Sequence, residues 1–177
     1  MIDTDPSKIL KYCPFCGSSA FPWDGKKAHV CKDCKNKLYT NEVGAVIALI
    51  ENQKHELLFT IRKYNPAKAM LDLPGGFIDI GETAEHATIR EIKEELNLEV
   101  EKLEFFGTFP NQYIYAGLTY FTIDIAFKCK MKNFDTIQAN DDVANIQFLN
   151  PTTVNLNNIG LESVRNIVKT WNTNYYF

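Results

Sequence analysis

The chain has 177 residues, 45% hydrophobic and 23% charged, the balance of a soluble globular protein with room for one good core and a small extra module. Its net charge of −3 excludes a global electrostatic pull toward nucleic acid or anionic lipid. No apolar run reaches the length of a membrane span, and the acidic, polar start from Met1 to Pro6 is not a secretory signal, so a cytoplasmic setting is expected.

Residues 1–40 differ in texture from the rest. They hold Cys13, Cys16, Cys31 and Cys34, two Cys-x-x-Cys pairs separated by fourteen residues. Two tight turns of this kind bring four thiolates to the corners of a tetrahedron, which suits Zn2+. The segment resembles a zinc ribbon. A rubredoxin-like iron site is the main metal alternative, although its second turn would repeat the Gly17 of the first, and Lys35 stands there instead. Two disulfides are the other alternative, disfavoured without a secretory signal. Seven lysines against four acids make the ribbon weakly basic, with Phe15, Phe21, Trp23 and Tyr39 interspersed. The simpler reading is that the lysines solvate a tiny module and the aromatics form its core. Nucleic acid is therefore not the expected partner. His29 has no obvious partner.

From Val43 the pattern turns to strands. Val43 to Ile50 is a continuous apolar run of buried-strand length, and Leu57 to Ile61 is a second strand after a polar turn holding a solvated His55. Leu103 to Thr108 reads as a strand and Phe109 to Gly117 as an aromatic loop or hairpin end. Tyr120 to Lys130 alternates, with Phe121, Ile123, Ile125, Phe127 and Cys129 on the face expected to be apolar. Val143 to Leu149 is a short strand after the polar loop Asn140-Asp141-Asp142. Apolar residues from Leu161 to Trp171 recur with helical spacing.

Between these strands lies Gly76 to Leu98. It begins as a loop with Gly75, Gly76 and Gly81, then becomes a helix with Thr83 as N-cap. Glu91, Glu94 and Glu95 share an arc of about 100° on that helix. Ile89, Ile92 and Leu96 form a neighbouring apolar stripe. Like charges one turn apart weaken a helix, so the acidic arc needs a reason, and a hard divalent cation with oxygen ligands supplies one. Leu73 to Gly76 offers bare backbone at that face.

The stretch resembles the signature of the Nudix hydrolases: Gly76, Glu82, Arg90, Glu91, Ile92, Glu94, Glu95 and Leu98 match, and Asn97 stands where the family has Gly. Asn tolerates the left-handed end of a helix best after Gly, so the departure is mild. The resemblance implies an α+β fold, a Nudix-like mixed β-sheet packed between helices over residues 41–177, preceded by the small zinc ribbon at 1–40. It implies Mg2+- or Mn2+-dependent attack of water on the diphosphate of a nucleoside diphosphate linked to another group. Glu91, Glu94, Glu95 and the carbonyl of Gly75 would hold the metal, with Arg90 and Glu82 as orienting partners. Glu94 is the first candidate for the base; Asp141 and Asp142, with Asp124 behind them, are the alternatives. Arg62, Tyr113 and Tyr115 are candidate substrate contacts. The subgroup acting on NADH also carries an N-terminal zinc ribbon, but its Ser-Gln-Pro-Trp-Pro-Phe-Pro run is absent; the ADP-ribose marker proline is replaced by Tyr113; Tyr113 and Tyr115 flank the place of a tyrosine that marks dinucleoside polyphosphate enzymes. The competing class is a non-catalytic nucleotide sensor or nucleic-acid adaptor, which would be expected to lose a metal glutamate. A homodimer is a further expectation.

Overall fold

The computed structural model describes residues 3–174. They divide into two compact units, one of residues 3–42 with 112–121 and one of 43–111 with 122–174.

The first unit contains α1 (Pro6–Ile9), capped by Asp5, and a two-stranded hairpin of β1 (Ala28–Val30) and β2 (Lys37–Tyr39). Its small core is Cys13, Phe21 and Cys31, with Cys34 and Leu38 packed against it. The aromatic core expected here is thus much reduced: Phe15 and Tyr39 are exposed, because two turns and two short strands enclose space for few rings. His29 takes their place. It is buried, its ring stacked on Phe21 at 5.0 Å and tilted against Trp23 at 5.2 Å. The same unit holds the tip of the long hairpin of β7 (Val100–Tyr115) and β8 (Leu118–Met131), turned by Ala116 and Gly117, both with positive φ. Two such residues in succession give a turn whose twist matches that of the strands. There Thr119 N–H donates to the Thr4 carbonyl at 2.7 Å.

The second unit carries two sheets. In the four-stranded sheet the order is β6 (Gly75–Phe77), β3 (Val43–Ile50), β8, β7; β3 runs parallel to β8 and antiparallel to β6. The three-stranded sheet is antiparallel, β5 (Leu71–Asp72), β4 (Leu57–Arg62), β9 (Val143–Leu149). α2 (Ala84–Leu96) packs through Ala87, Ile92 and Leu96 on Val46, Ala48, Ile50, Leu58 and Phe127. α3 (Glu162–Asn174) packs through Val164, Ile167, Val168 and Trp171 on Ile47, Leu49, Leu57 and Phe59. A mixed sheet between helices is therefore present. β3 is apolar throughout because its alternate residues enter different cores.

Three expectations need correction. Phe109 to Gly117 is a hairpin end rather than a loop, and less of it is turn than expected: β7 runs on to Tyr115 and the chain turns only at Ala116 and Gly117. On β8 both faces are covered: Phe127 and Cys129 of the expected apolar face lie in the core with Ile125 packed against it, and on the face expected to be polar Thr122 and Asp124 are also buried, at 2% and 3% exposed. Alternation reports which residues share a face, and in a covered sheet both faces lose water. On α2, Ile89 leaves the expected apolar stripe and is 43% exposed, whereas Glu95 is 5% exposed.

Candidate active site

The site is built where β6 meets α2. Thr83 Oγ1 accepts from His86 N–H, satisfying a free amide of the first turn of α2. Asn97 ends the helix in the left-handed region at φ 53° and ψ 32°, the conformation for which glycine is usual. Between these caps the three glutamates take different environments.

Glu95 points inward. Its Oε2 accepts from the Gly75 N–H at 3.0 Å. Burial raises its pKa well above the ordinary carboxylate range, and the negative charge of Asp142 adds to this. Glu91 is also buried enough to be raised, with Arg90 opposing the effect. It faces Gly76 closely: a Cβ there would stand 2.5 Å from Glu91 Oε1. Glu94 lies further out, its side chain 49% exposed.

Arg90 organises the outer part. Its Nε and Nη2 grip both oxygens of Glu82 at 3.1 and 2.9 Å. Nη1 donates to Glu91 at 2.8 Å and to Glu94 at 3.0 Å, and Nη2 also reaches the Phe77 carbonyl at 3.0 Å. The hydrogen bonds from Arg90 hold the Glu82 carboxyl below its usual range. The planar guanidinium fork ties loop, strand and helix together with charge-assisted bonds.

The loop before β9 closes the remaining side. Its Gln138 and Asn140 N–H groups donate to the Leu96 and Glu95 carbonyls, and Lys63 N–H donates to the Asp142 carbonyl. This fixes Asp142 with its carboxyl against Glu95. Asp141, at φ 50°, presents its carbonyl to Lys63 Nζ instead.

The other sequence candidates lie as follows. Arg62 is largely buried and paired with Asp72, and its Nε donates to the Pro66 carbonyl at 2.6 Å. Tyr113 and Tyr115 lie on the part of β7 that belongs to the first unit, Tyr115 being 58% exposed. Asp124 is buried among Thr122 and Asn111. Apart from the cluster around α2, the four cysteine sulfurs in the first unit lie within 4.8 Å of one another and form no disulfide.

A family model for the NUDIX domain matches residues 41–169. The chain belongs to the Nudix hydrolase family. Among curated Nudix relatives, it is 29% identical over 104 residues to the NAD-capped RNA hydrolase NudC of Vibrio vulnificus, a match covering 59% of this chain and 39% of that protein. It is 41% identical over 77 residues to the ADP-ribose pyrophosphatase of Methanocaldococcus jannaschii, covering 44% and 45%. These matches span under half the length of either relative. A NUDIX hydrolase structure from Nitrosomonas europaea superposes with a TM-score of 0.66 at 20% identity, covering 90% of this chain and 89% of that one. The Nudix domain of Shewanella oneidensis NrtR, solved with ADP ribose, superposes with a TM-score of 0.62 at 18% identity, covering 77% and 90%. At such identities the superpositions show the fold alone. Among the described residues, no helix is long and apolar enough to cross a membrane.

The donor set fits a divalent cation. Glu91 and Glu95 are acids whose burial disfavours their charge, with Asp142 adding more negative charge beside them; among the described residues Arg90 pairs with Glu91, and no lysine or arginine pairs with Glu95. Carboxylate and carbonyl oxygens are the ligands Mg2+ and Mn2+ take, and such an ion supplies the charge this cluster lacks.

Proposed function

We propose that the Nudix domain hydrolyses the diphosphate linkage of a nucleoside diphosphate joined to another group, with Mg2+ or Mn2+ held by Glu91, Glu94, Glu95 and the Gly75 carbonyl. The observation that carries this reading is Glu95, 5% exposed and packed against a second carboxyl, Asp142. Buried acids are ordinarily paired with a cation. The names of the relatives above support the substrate class, since NAD-capped RNA and ADP-ribose share a diphosphate between two groups. When bound, the metal neutralises diphosphate charge and lowers the pKa of water. The chain's own contribution is positional. Arg90 orients Glu91 and Glu94, Glu82 holds Arg90, and Gly75 N–H fixes the Glu95 carboxylate.

Glu94 is the first candidate to accept the proton of the attacking water, being the most exposed of the three motif glutamates. Asp142 is favoured second by its place against Glu95. Glu94→Gln and Asp142→Asn, compared by single-turnover rate against pH, separate them: the base is the one whose loss removes the acidic limb of the profile. The whole reading is tested by offering nucleoside diphosphate derivatives with Mg2+ or Mn2+ and following nucleotide release. No metal-dependent release from any of them would end it.

The raised carboxyls give a pH prediction. In the metal-free protein the folded state keeps protons on Glu91 and Glu95 that the unfolded chain gives up near its ordinary pKa of 4.5. The contribution of these groups to stability therefore falls as pH rises from about 4.5 through the folded-state values. A divalent cation replaces the protons. The rise in melting temperature caused by Mn2+ should be larger at about pH 8 than at about pH 5.5. An equal rise at both would show that the ion binds elsewhere.

For residues 1–40 we propose a structural Zn2+ site. The Cys13 and Cys34 sulfurs are 3.6 Å apart and those of Cys16 and Cys31 3.7 Å. A tetrahedron with Zn–S bonds of about 2.3 Å has edges near ~3.8 Å. The Cys34 backbone N–H lowers the Cys31 pKa to about 6, while against the Ser18 N–H the neighbouring thiols push Cys16 up to about 12, so the sulfurs share protons that a bound cation would replace. Lys35 adopts φ 63° after the second pair, as Gly17 does with φ 75° after the first, so the second turn forms without its glycine. Four thiolates leave no open position for substrate, which is the mark of a structural ion. Elemental analysis should give one zinc per chain, and Cys31→Ser should abolish it while the α2 and α3 cores stay folded. Iron in place of zinc, or no metal, would refute this.

A further inference from the structure

The final four carbonyls of a helix have no partner within it. At the end of α2, the loop before β9 takes three such carbonyls in order. The Glu95 carbonyl accepts from Asn140 N–H at 2.9 Å, the Leu96 carbonyl from Gln138 N–H at 3.0 Å, and the Asn97 carbonyl from Thr136 Oγ1 at 2.8 Å. The donors fall on every second residue, 140, 138 and 136, so the loop is laced along the helix end with the spacing of a strand. Asn97 supplies the return contact. Its Nδ2 donates to the Thr136 carbonyl at 3.1 Å, and its Oδ1 accepts from Lys93 Nζ at 2.8 Å. Asn97 and Thr136 thus hold each other by two reciprocal bonds across 39 residues of sequence.

The register of this lacing decides where the next residues fall. Phe134 and Ile137 fasten the stem of the loop by packing on the α2 core, and Lys63 N–H fastens its far end at the Asp142 carbonyl. Asn140 is tied to the Glu95 backbone, and two residues on, the Asp142 carboxyl reaches the Glu95 side chain. Capping alone does not call for the amide at position 97. Asn97 sits at φ 53°, where glycine serves as well and where the Nudix signature has glycine. A glycine would end the helix in the same way and leave the Thr136 carbonyl without this donor. The departure from the signature therefore adds a contact of its own.

We propose that Asn97 is a positioning residue for the acidic site: its side-chain amide clasps Thr136 and holds the loop in the register that sets Asp142 against Glu95. Asn97 itself touches neither substrate nor metal; it acts through Asp142. The proposal rests on the reading that the α2 carboxylates hold a divalent cation.

The test is Asn97→Gly in the full chain, a variant that keeps the left-handed helix end. In the metal-free protein, amide hydrogen exchange at Gln138 and Asn140 should quicken by about 10-fold, the scale of one hydrogen bond lost from a local opening. Val46 and Ala48 on β3 should exchange as before. Calorimetric titration with Mn2+ should show affinity weakened by about 3-fold or more, because a charge beside the ligands is no longer held in place. The same substitution in an Asp142→Asn background should leave Mn2+ affinity unchanged, since the group through which Asn97 acts is gone. Thr136→Val, which breaks the other half of the clasp, should move exchange and affinity in the same direction as Asn97→Gly. Unchanged exchange at Gln138 and Asn140, unchanged Mn2+ affinity, or equal weakening with and without the Asp142 carboxylate overturns the proposal. A native chain that binds no Mn2+ would instead overturn the metal-dependent hydrolase reading, and the exchange rates alone would then decide whether Asn97 holds the loop.

Discussion

Replacing Glu95 by Gln is expected to lower turnover by at least about 100-fold while raising the melting temperature of the metal-free protein near neutral pH. The two effects share one cause. The carboxylate is buried beside Asp142, and burial raises its pKa. Holding a charge there opposes folding, and in the proposed site it would be offset by the cation that the carboxylate holds. Gln keeps the volume and can still accept the Gly75 N–H through its amide oxygen. The strand contact survives and the charge does not. A loss of 100-fold corresponds to about 2.7 kcal/mol of transition-state stabilisation. Stabilisation should be seen without metal, and the gain from Mn2+ should shrink. Glu91→Gln should lose activity similarly, with a smaller effect on melting because Arg90 already compensates its charge. Near-native turnover in either variant would remove these carboxylates from the metal site.

The acidic helix was legible from sequence because its chemistry is written within one turn-and-helix segment. Thr83 and Asn97 cap α2 as their types dictate, and Glu91, Glu94 and Glu95 fall on one side by helical geometry alone. What sequence could not rank was their burial. The wheel puts Glu95 next to the apolar stripe and Ile89 within it, yet Glu95 is covered and Ile89 exposed. The difference is made by β6 and the loop at Asp142, elements 20 residues upstream and 47 downstream, whose approach leaves no trace in the helix's own periodicity.

The same limit explains β7 and β8. Tyr120 to Lys130 alternates cleanly, so the strand was visible. Its period-2 pattern placed Phe127 and Cys129 in the core, where they lie, but gave no sign that Thr122 and Asp124 on the other face are buried too. A buried acid in mid-strand could have been suspected from Asp124 alone, sitting between isoleucines in an otherwise apolar run. β7 was cut short at Phe109 because Pro110, Asn111 and Gly117 read as turn residues. Only Gly117 turns the chain. Pro110 is accommodated within the strand, and Asn111 faces Asp124. In the ribbon, the cysteine spacing carried the reading, and Lys35 in place of a second glycine counted against an iron site. The backbone simply takes φ 63° there, at about 1 kcal/mol of strain.

Gly75→Ala should be the most damaging single methyl group in the Nudix domain, and its damage should be of two kinds. Gly75 sits at φ +148°, where L side chains rarely go, and a Cβ would lie 2.0 Å from the Val46 carbonyl oxygen and 3.1 Å from Ile47 Cα. Those atoms are backbone of the central strand β3, which also pairs with β8 and cannot step aside. β6 must therefore leave β3. That breaks a short strand pairing and pulls the Gly75 N–H away from Glu95, so the metal glutamate loses its fixed position. Destabilisation of about 3 kcal/mol or more is expected, the scale of severe overpacking with backbone strain. Where the variant remains folded, kcat/KM should drop at least about 100-fold. Two neighbouring substitutions separate the causes. In Gly76→Ala the new methyl meets the Glu91 carboxylate rather than backbone, so activity should fall with a smaller loss of stability. In Gly81→Ala the φ of +84° is strained but nothing lies within 4 Å, so about 1 kcal/mol of stability should be the main loss. Urea unfolding and steady-state kinetics on the three variants measure both quantities. If Gly75→Ala proves no more harmful than Gly81→Ala, the close approach of β6 to β3 does not hold this site together.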